Sequence, residues 1–81
     1  MDMKTSSWQK TVPEKNCFRF YTIKLEADLF AVARVACEWG RIGSGNHPQQ
    51  QIICFDSVEE AEIYRERQEK LRIRRGYQLV G

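Results

Sequence analysis

The residues best suited to chemistry lie together in CEWGRIGSGN, residues 37–46. Trp39 offers a flat ring and Arg41 a planar cation, with Gly40 between them and a run of turn formers just after. Either the ring and the guanidinium are presented together to a ligand, or Trp39 is a core residue at a strand end and Arg41 is merely solvated beyond it. A second cluster, KLRIRR at residues 70–75, brings Lys70, Arg72, Arg74 and Arg75 within six residues. Cations at a helix C-terminus are stabilising in any case, but four this close also make a phosphate-contacting end. Arg19 and Lys24, on a strand candidate at 17–25, would extend it.

Catalysis finds little support. The chain has no Ser/His/Asp set, and its sole histidine, His47, falls in a glycine-rich turn. Cys37, beside Glu38 and Trp39, has no base at a readable spacing, so it reads as a small buried hydrophobe. Gly43-Ser44-Gly45 could cradle a phosphate through backbone amides, a weak signal outside a strand-to-helix turn. Cys17, Cys37 and Cys54 are odd in number and contain no CxxC pair, which points to a reducing, cytoplasmic setting. All three sit in apolar strand-like segments and are expected to be buried and reduced. One histidine and three scattered thiols cannot supply four closely paired ligands, so neither a metal nor a cofactor is expected. No apolar run is long enough to span a membrane, and MDMKTSSWQK lacks the apolar core of a secretory signal.

The elements that would position these groups can be read in order. Eighty-one residues with 42% apolar and 30% charged side chains make one small soluble domain, which buries only about 60% of its unfolded surface. The net charge of +2 is too small to indicate nucleic-acid binding alone, but it is unevenly spread. Residues 1–25 carry five Lys/Arg against two acids, residues 26–57 two against four, and residues 58–81 six against five. CFRFYTIKL, 17–25, reads as a strand with Phe18, Phe20 and Thr22 on one face and Tyr21, Ile23 and Leu25 on the other. Glu26-Ala27-Asp28 is polar enough to turn the chain. LFAVARVACEW, 29–39, follows with apolar residues at every odd position, the period of a strand buried on one face. GRIGSGNHP is a loop, and QQQIICF, 49–55, pairs back across it. The opening SSWQKTV is a weaker strand candidate, ended by Pro13.

At Ser57 the period changes. Ser57-Val58-Glu59-Glu60 is a capping box, and a helix runs from there to about Arg74, packing through Val58, Ala61, Tyr64 and Leu71. Glu66 stands one turn before Lys70, Gly76 supplies the stop, and residues 77–80 add a short closing strand. The fold class is therefore α+β: a curved antiparallel β-sheet with one long helix on one face. Residues 1–6 are expected to be a flexible N-terminus and 7–81 a single domain, as a monomer. Trp39 shares the apolar odd parity and so belongs to the core by pattern. Gly40 opposes this, since glycine at a strand end often re-aims its neighbour.

Trp39-Gly40-Arg41 with Ile42-Gly43 resembles the namesake motif of the WGR domain. Further blocks recur in order in small single-domain bacterial WGR proteins: Asn16, Arg19-Phe20-Tyr21, Asp28-Leu29-Phe30, Glu38 to Ser44, Phe55-Asp56-Ser57 with Glu60-Ala61, and Arg75-Gly76-Tyr77. The resemblance covers most of the chain from about Trp8. The usual Gly-Gln after the turn is replaced by Gly45-Asn46-His47-Pro48. WGR domains occur in poly(ADP-ribose) polymerases, where they contact DNA near a strand break, and in molybdate-metabolism regulators and small orphan proteins.

The resemblance implies a non-catalytic binding module. Trp39 would be the plate against a sugar or base, partly exposed, and Arg41 its supporting cation. Gly40, Arg19, Lys70, Arg72, Arg74 and Arg75 complete the expected surface. The implied partner is DNA at an end, a nick or a single-stranded junction. The alternative is a protein-interaction module using the same Trp and Arg, the usual hot-spot residues.

Overall fold

The computed structural model describes residues 2–27 and 33–81, with side chains from Lys4 onward. The strands are β1 (Asp2–Val12), β2 (Cys17–Ala27), β3 (Ala33–Arg41), β4 (Gln49–Phe55) and β5 (Gln78–Leu79), with one helix, α1 (Val58–Arg74). They form one open sheet in the order β4-β3-β2-β1-β5, every neighbour antiparallel. The architecture is α+β, as expected. Strand β1 already begins at Asp2, inside the stretch read as a flexible lead, and its 11 residues make it equal in length to β2. Polar MDMKTSS hides this, because cross-strand pairing with β2 rather than local propensity holds it extended.

Glu26 and Ala27 do not turn the chain. They remain in β2, where Glu26 pairs with Arg34 and Ala27 with Ala33. The remainder of that expected turn, Asp28, and the first part of the expected second strand, 29–32, lie outside the described residues. At its other end β3 runs on through Gly40 to Arg41. The β1–β2 corner is a single 3₁₀ turn, Pro13–Lys15, closed by Asn16 at φ 52° with its N–H on the Pro13 carbonyl at 2.9 Å. Proline presets the first φ, and asparagine tolerates the left-handed region.

The alternation in β2 and β3 is borne out. Tyr21, Ile23, Leu25, Ala33, Val35 and Cys37 point to one face and form the core with Trp8 and Ala61. Ile23, Leu25 and Val35 are fully buried, each contributing about 1.5–3 kcal/mol by leaving water. Ile23→Ala is the change expected to break the sheet–helix layer, at about 2–5 kcal/mol.

Helix α1 starts on the expected cap, with the Ser57 hydroxyl accepting from the Glu60 N–H at 3.2 Å. Its inward stripe differs from the expected one. Ala61 is fully buried and Tyr64 and Leu71 half-buried, but Val58 is 38% exposed, and the other buried positions are Arg65 and Arg72. Small Ala61 lets the helix approach the sheet, and the aliphatic stems of the two arginines cover the remaining apolar surface. Arg65 keeps its charge inside a ring of glutamates, at 2.6 Å from Glu69, 3.1 Å from Glu62 and 4.0 Å from Glu66. Glu66 is thus drawn to Arg65. The thiols are all free, but only Cys37 is buried; Cys17 is half-buried and Cys54 exposed. Cys54 faces out because β4 is an edge strand whose even residues sit on the uncovered face of the sheet.

Candidate nucleic-acid interface

Strand register builds the site. Trp8 stands opposite Tyr21, and Tyr21 opposite Trp39, so three aromatic residues cross β1, β2 and β3 in one row. Two residues along, Lys10 stands opposite Arg19 and Arg19 opposite Arg41. These three cations form a parallel row about 7 Å away, two strand residues of about 3.4 Å each. Like charges directly opposite on neighbouring strands are destabilising by themselves. Among the described residues none of the three makes an ion pair with an acid. Trp8 and Tyr21 are buried, so the unneutralised basic row lies beside one accessible ring of the aromatic row, that of Trp39, which suits a polyanion that also carries rings.

Trp39 is half-buried and packs on the core. One face of its ring stacks on Tyr21 at 5.6 Å between centroids and 11° between planes, and its indole N–H donates to Gln49 Oε1 at 2.7 Å. Parity therefore holds, since the ring keeps the core side of the sheet; no bulge at Gly40 re-aims it, and its partial exposure, which the resemblance implies, comes from its place at the rim. Gly40 stays in the ladder opposite Phe20, where an added Cβ would lie 3.3 Å from Phe20 Cε1. Arg41 is exposed yet fixed. Its Nη1 donates to the Asn16 carbonyl and its Nη2 to Asn16 Oδ1, each at 3.1 Å, and its guanidinium lies 5.5 Å from the Phe18 ring centre. A cavity of about 400 Å³ opens here, lined by Arg19, Trp39, Gly40 and Arg41 of the expected residues, and by Phe20, His47, Pro48, Gln49 and Tyr77 among others.

The helix cations separate from this group. Lys70, Arg74 and Arg75 are exposed and do not line the cavity. Arg72, expected as a phosphate contact, is 5% exposed, with its guanidinium 4.0 Å from the Tyr21 ring centre and 5.3 Å from that of Tyr77. The helix ends in a Schellman motif, with Gly76 N–H on the Ile73 carbonyl at 3.1 Å and Tyr77 N–H on the Arg72 carbonyl at 2.9 Å. Gly76 takes φ +88°, and the chain folds Tyr77 back over Arg72. This return draws Arg72 inward and puts Tyr77 edge-on to Tyr21 at 6.2 Å. Arg72 thus packs against the aromatic row from the helix side.

Burial governs the titration of the core beneath the site. It pushes the Tyr21 hydroxyl above its ordinary range, helped by a hydrogen bond to Cys37 and opposed by Arg72. Burial likewise raises the Cys37 thiol, against the lowering effects of Tyr21 and Arg72. Neither group is an activated nucleophile. Among the described residues no cluster of His, Cys, Asp and Glu is disposed to hold a metal, and no helix is long and apolar enough to cross a membrane.

The family model of the WGR domain matches residues 5–81. The chain belongs to the WGR family. No curated protein and no solved structure matches it. WGR is a non-catalytic domain family, known in general for binding nucleic acid. In this WGR domain the Trp39-Gly40-Arg41 triplet ends β3 and supplies one member to each row, Trp39 to the aromatic and Arg41 to the basic. Sequence reasoning misses Lys10 as a member of the basic row and Tyr77 as a wall of the cavity beside the triplet. Their signal is a register across strands and a helix-terminal return, neither of which shows in local periodicity.

Proposed function

We propose that this WGR domain is a nucleic-acid-binding module that engages ends, nicks or single-stranded junctions. The observation that carries the reading is the pairing of the two rows, Trp8–Tyr21–Trp39 beside Lys10–Arg19–Arg41. The aromatic row takes a base or sugar at its Trp39 end, and the basic row takes the backbone that follows. Base faces are hidden inside an intact duplex and free only at an end or in an unpaired strand. A ring at the rim of a sheet therefore selects such sites. Stacking of one base contributes about 1–3 kcal/mol. Lys70, Arg74 and Arg75 serve as outlying phosphate contacts, and Arg72 acts through Tyr21 and Tyr77. The alternative, a protein partner held by Trp39 and Arg41, is favoured by one observation: Asn16 already immobilises the Arg41 guanidinium, as suits an interface anchor.

The test is binding to a nicked or blunt-ended duplex against a covalently closed circle of the same sequence, at two salt concentrations. A preference for the nick or end that weakens with salt supports the reading. Equal binding to the closed circle refutes end selection, and no binding to either leaves the protein-partner reading.

A further inference from the structure

The two edges of the sheet are treated differently. Beyond β1 the two-residue β5 pairs only with Trp8 and Gln9, and the rest of β1 is guarded by Lys4, Lys10 and a register shift between Asp2 and Lys4. At the other side β4 pairs with β3 alone, in an unbroken register from Ala33 opposite Phe55 to Trp39 opposite Gln49. Its sequence, QQQIICF, contains no charge, no proline and no glycine. Native edge strands are guarded by lysines, prolines, bulges or shortness, because an unguarded edge recruits another strand. Strand β4 has none of these guards, and Ile52 at its centre is 59% exposed.

We infer that β4 is the interface of a symmetric dimer, in which two copies of this chain pair antiparallel through their β4 edges about Ile52. The register is self-complementary. Ile52 meets Ile52 of the second copy, so the most exposed apolar side chain of the strand is covered. Gln50 meets Cys54 of the second copy, and Gln51 meets Ile53.

The charges of the adjoining strand agree with this arrangement. Glu38 stands beside Gln50, which donates to it at 3.1 Å, and Arg34 stands beside Cys54. Each row across the joint therefore runs Glu38, Gln50, then Cys54 and Arg34 of the second copy, with opposite charges on the two sides of the joint, Arg34 being held by its own Glu26 at 2.8 Å. A parallel pairing in register would instead end each row in like charges. One open edge per chain also closes the assembly at two copies, since the isologous contact consumes the only unguarded edge among the described strands. The inference does not depend on nucleic-acid binding.

Sedimentation equilibrium over a wide concentration range tests it, with wild type expected to approach twice 9.6 kDa as concentration rises. Ile52→Lys sets two ammonium groups against each other at the centre and should weaken the dimer by about tenfold or more. The side chain is exposed, so the variant's circular dichroism should match wild type. In a Cys54→Ser background, Ile52→Cys should oxidise to an inter-chain disulfide, because directly opposed residues fall within disulfide range. A wild type that stays monomeric at all concentrations would overturn the inference. So would a mass that climbs past two copies, a dimer indifferent to Ile52→Lys, or a dimer in which the Ile52→Cys variant fails to crosslink.

Discussion

Replacing Trp39 with alanine separates its two roles. A fully buried tryptophan costs about 3–5 kcal/mol on truncation, and half-burial takes that to about 2 kcal/mol. The parallel stack on Tyr21 adds about 1 kcal/mol, while the hydrogen bond to Gln49 is exposed and water can replace it. The expected loss of folding free energy is therefore about 2–3 kcal/mol. An 81-residue domain has roughly 4–12 kcal/mol in total, so the variant should remain folded at 25 °C. Its affinity for a nicked duplex should fall by a further 1–3 kcal/mol, on the order of tenfold to a hundredfold, measured under conditions where urea titration shows it native. Trp39→Phe, which keeps a ring, should recover most of both losses. A folded Trp39→Ala protein with wild-type affinity would remove the ring from the site. A loss of about 5 kcal/mol or outright unfolding would make Trp39 an ordinary core residue.

Lys10→Gln and Arg19→Gln should each lower the slope of log affinity against log salt by about 0.7–0.9, one phosphate contact apiece; an unchanged slope would remove that cation from the basic row. Arg72→Lys keeps the charge but loses the flat stack on Tyr21 and Tyr77, and should cost about 1–2 kcal/mol, read as a fall in Tm of roughly 4–15 °C with the salt slope unaltered. A reduced slope would instead make Arg72 a phosphate contact. Stability should also fall at alkaline pH. The folded thiol of Cys37 and hydroxyl of Tyr21 hold their protons above the ordinary values of 9.0 and 10.0, so the stabilisation is complete below about pH 9. It is lost as pH rises and the unfolded chain ionises first. Cys37→Ala should remove the earlier part of that decline in urea titrations repeated between about pH 7 and 10.5.

Much of the scaffold is legible because its signals are local. Alternation in β2 and β3 shows which residues face the helix, and Ser57 and Gly76 mark the ends of α1. The parity of Trp39 puts it on the core face and the resemblance implies a partly exposed ring, and the structure keeps both; the bulge that Gly40 suggests is absent, because the β2–β3 ladder runs through it unbroken. What escapes is non-local. Lys10 joins Arg19 and Arg41 only when three strands are in register, and that register depends on the 3₁₀ corner at Pro13–Lys15. Arg72 counts as polar in any helical pattern, yet the Schellman return covers it with Tyr77. Cys54 reads as buried because a strand pattern does not say whether the strand lies at an edge.

The strand order β4-β3-β2-β1-β5 has a kinetic consequence. Strands β1 to β4 follow one another as hairpins, whereas β5 pairs with β1 between Leu79 and Trp8, roughly 70 residues apart in the chain. Closing that loop costs about 2.5 kcal/mol more entropy than closing the four-residue corner between β1 and β2. The meander can therefore assemble first, with β1 still open along one side, and the helix-terminal return with β5 seals it last. Tyr77 and Arg72 travel on that final segment. The aromatic row would then acquire its support only at the end of folding, and local opening of the native state should begin there. Amide exchange at Val80 and Ser7, whose N–H groups bond across this seam at 2.8 and 2.9 Å, would precede exchange in the β2–β3 ladder.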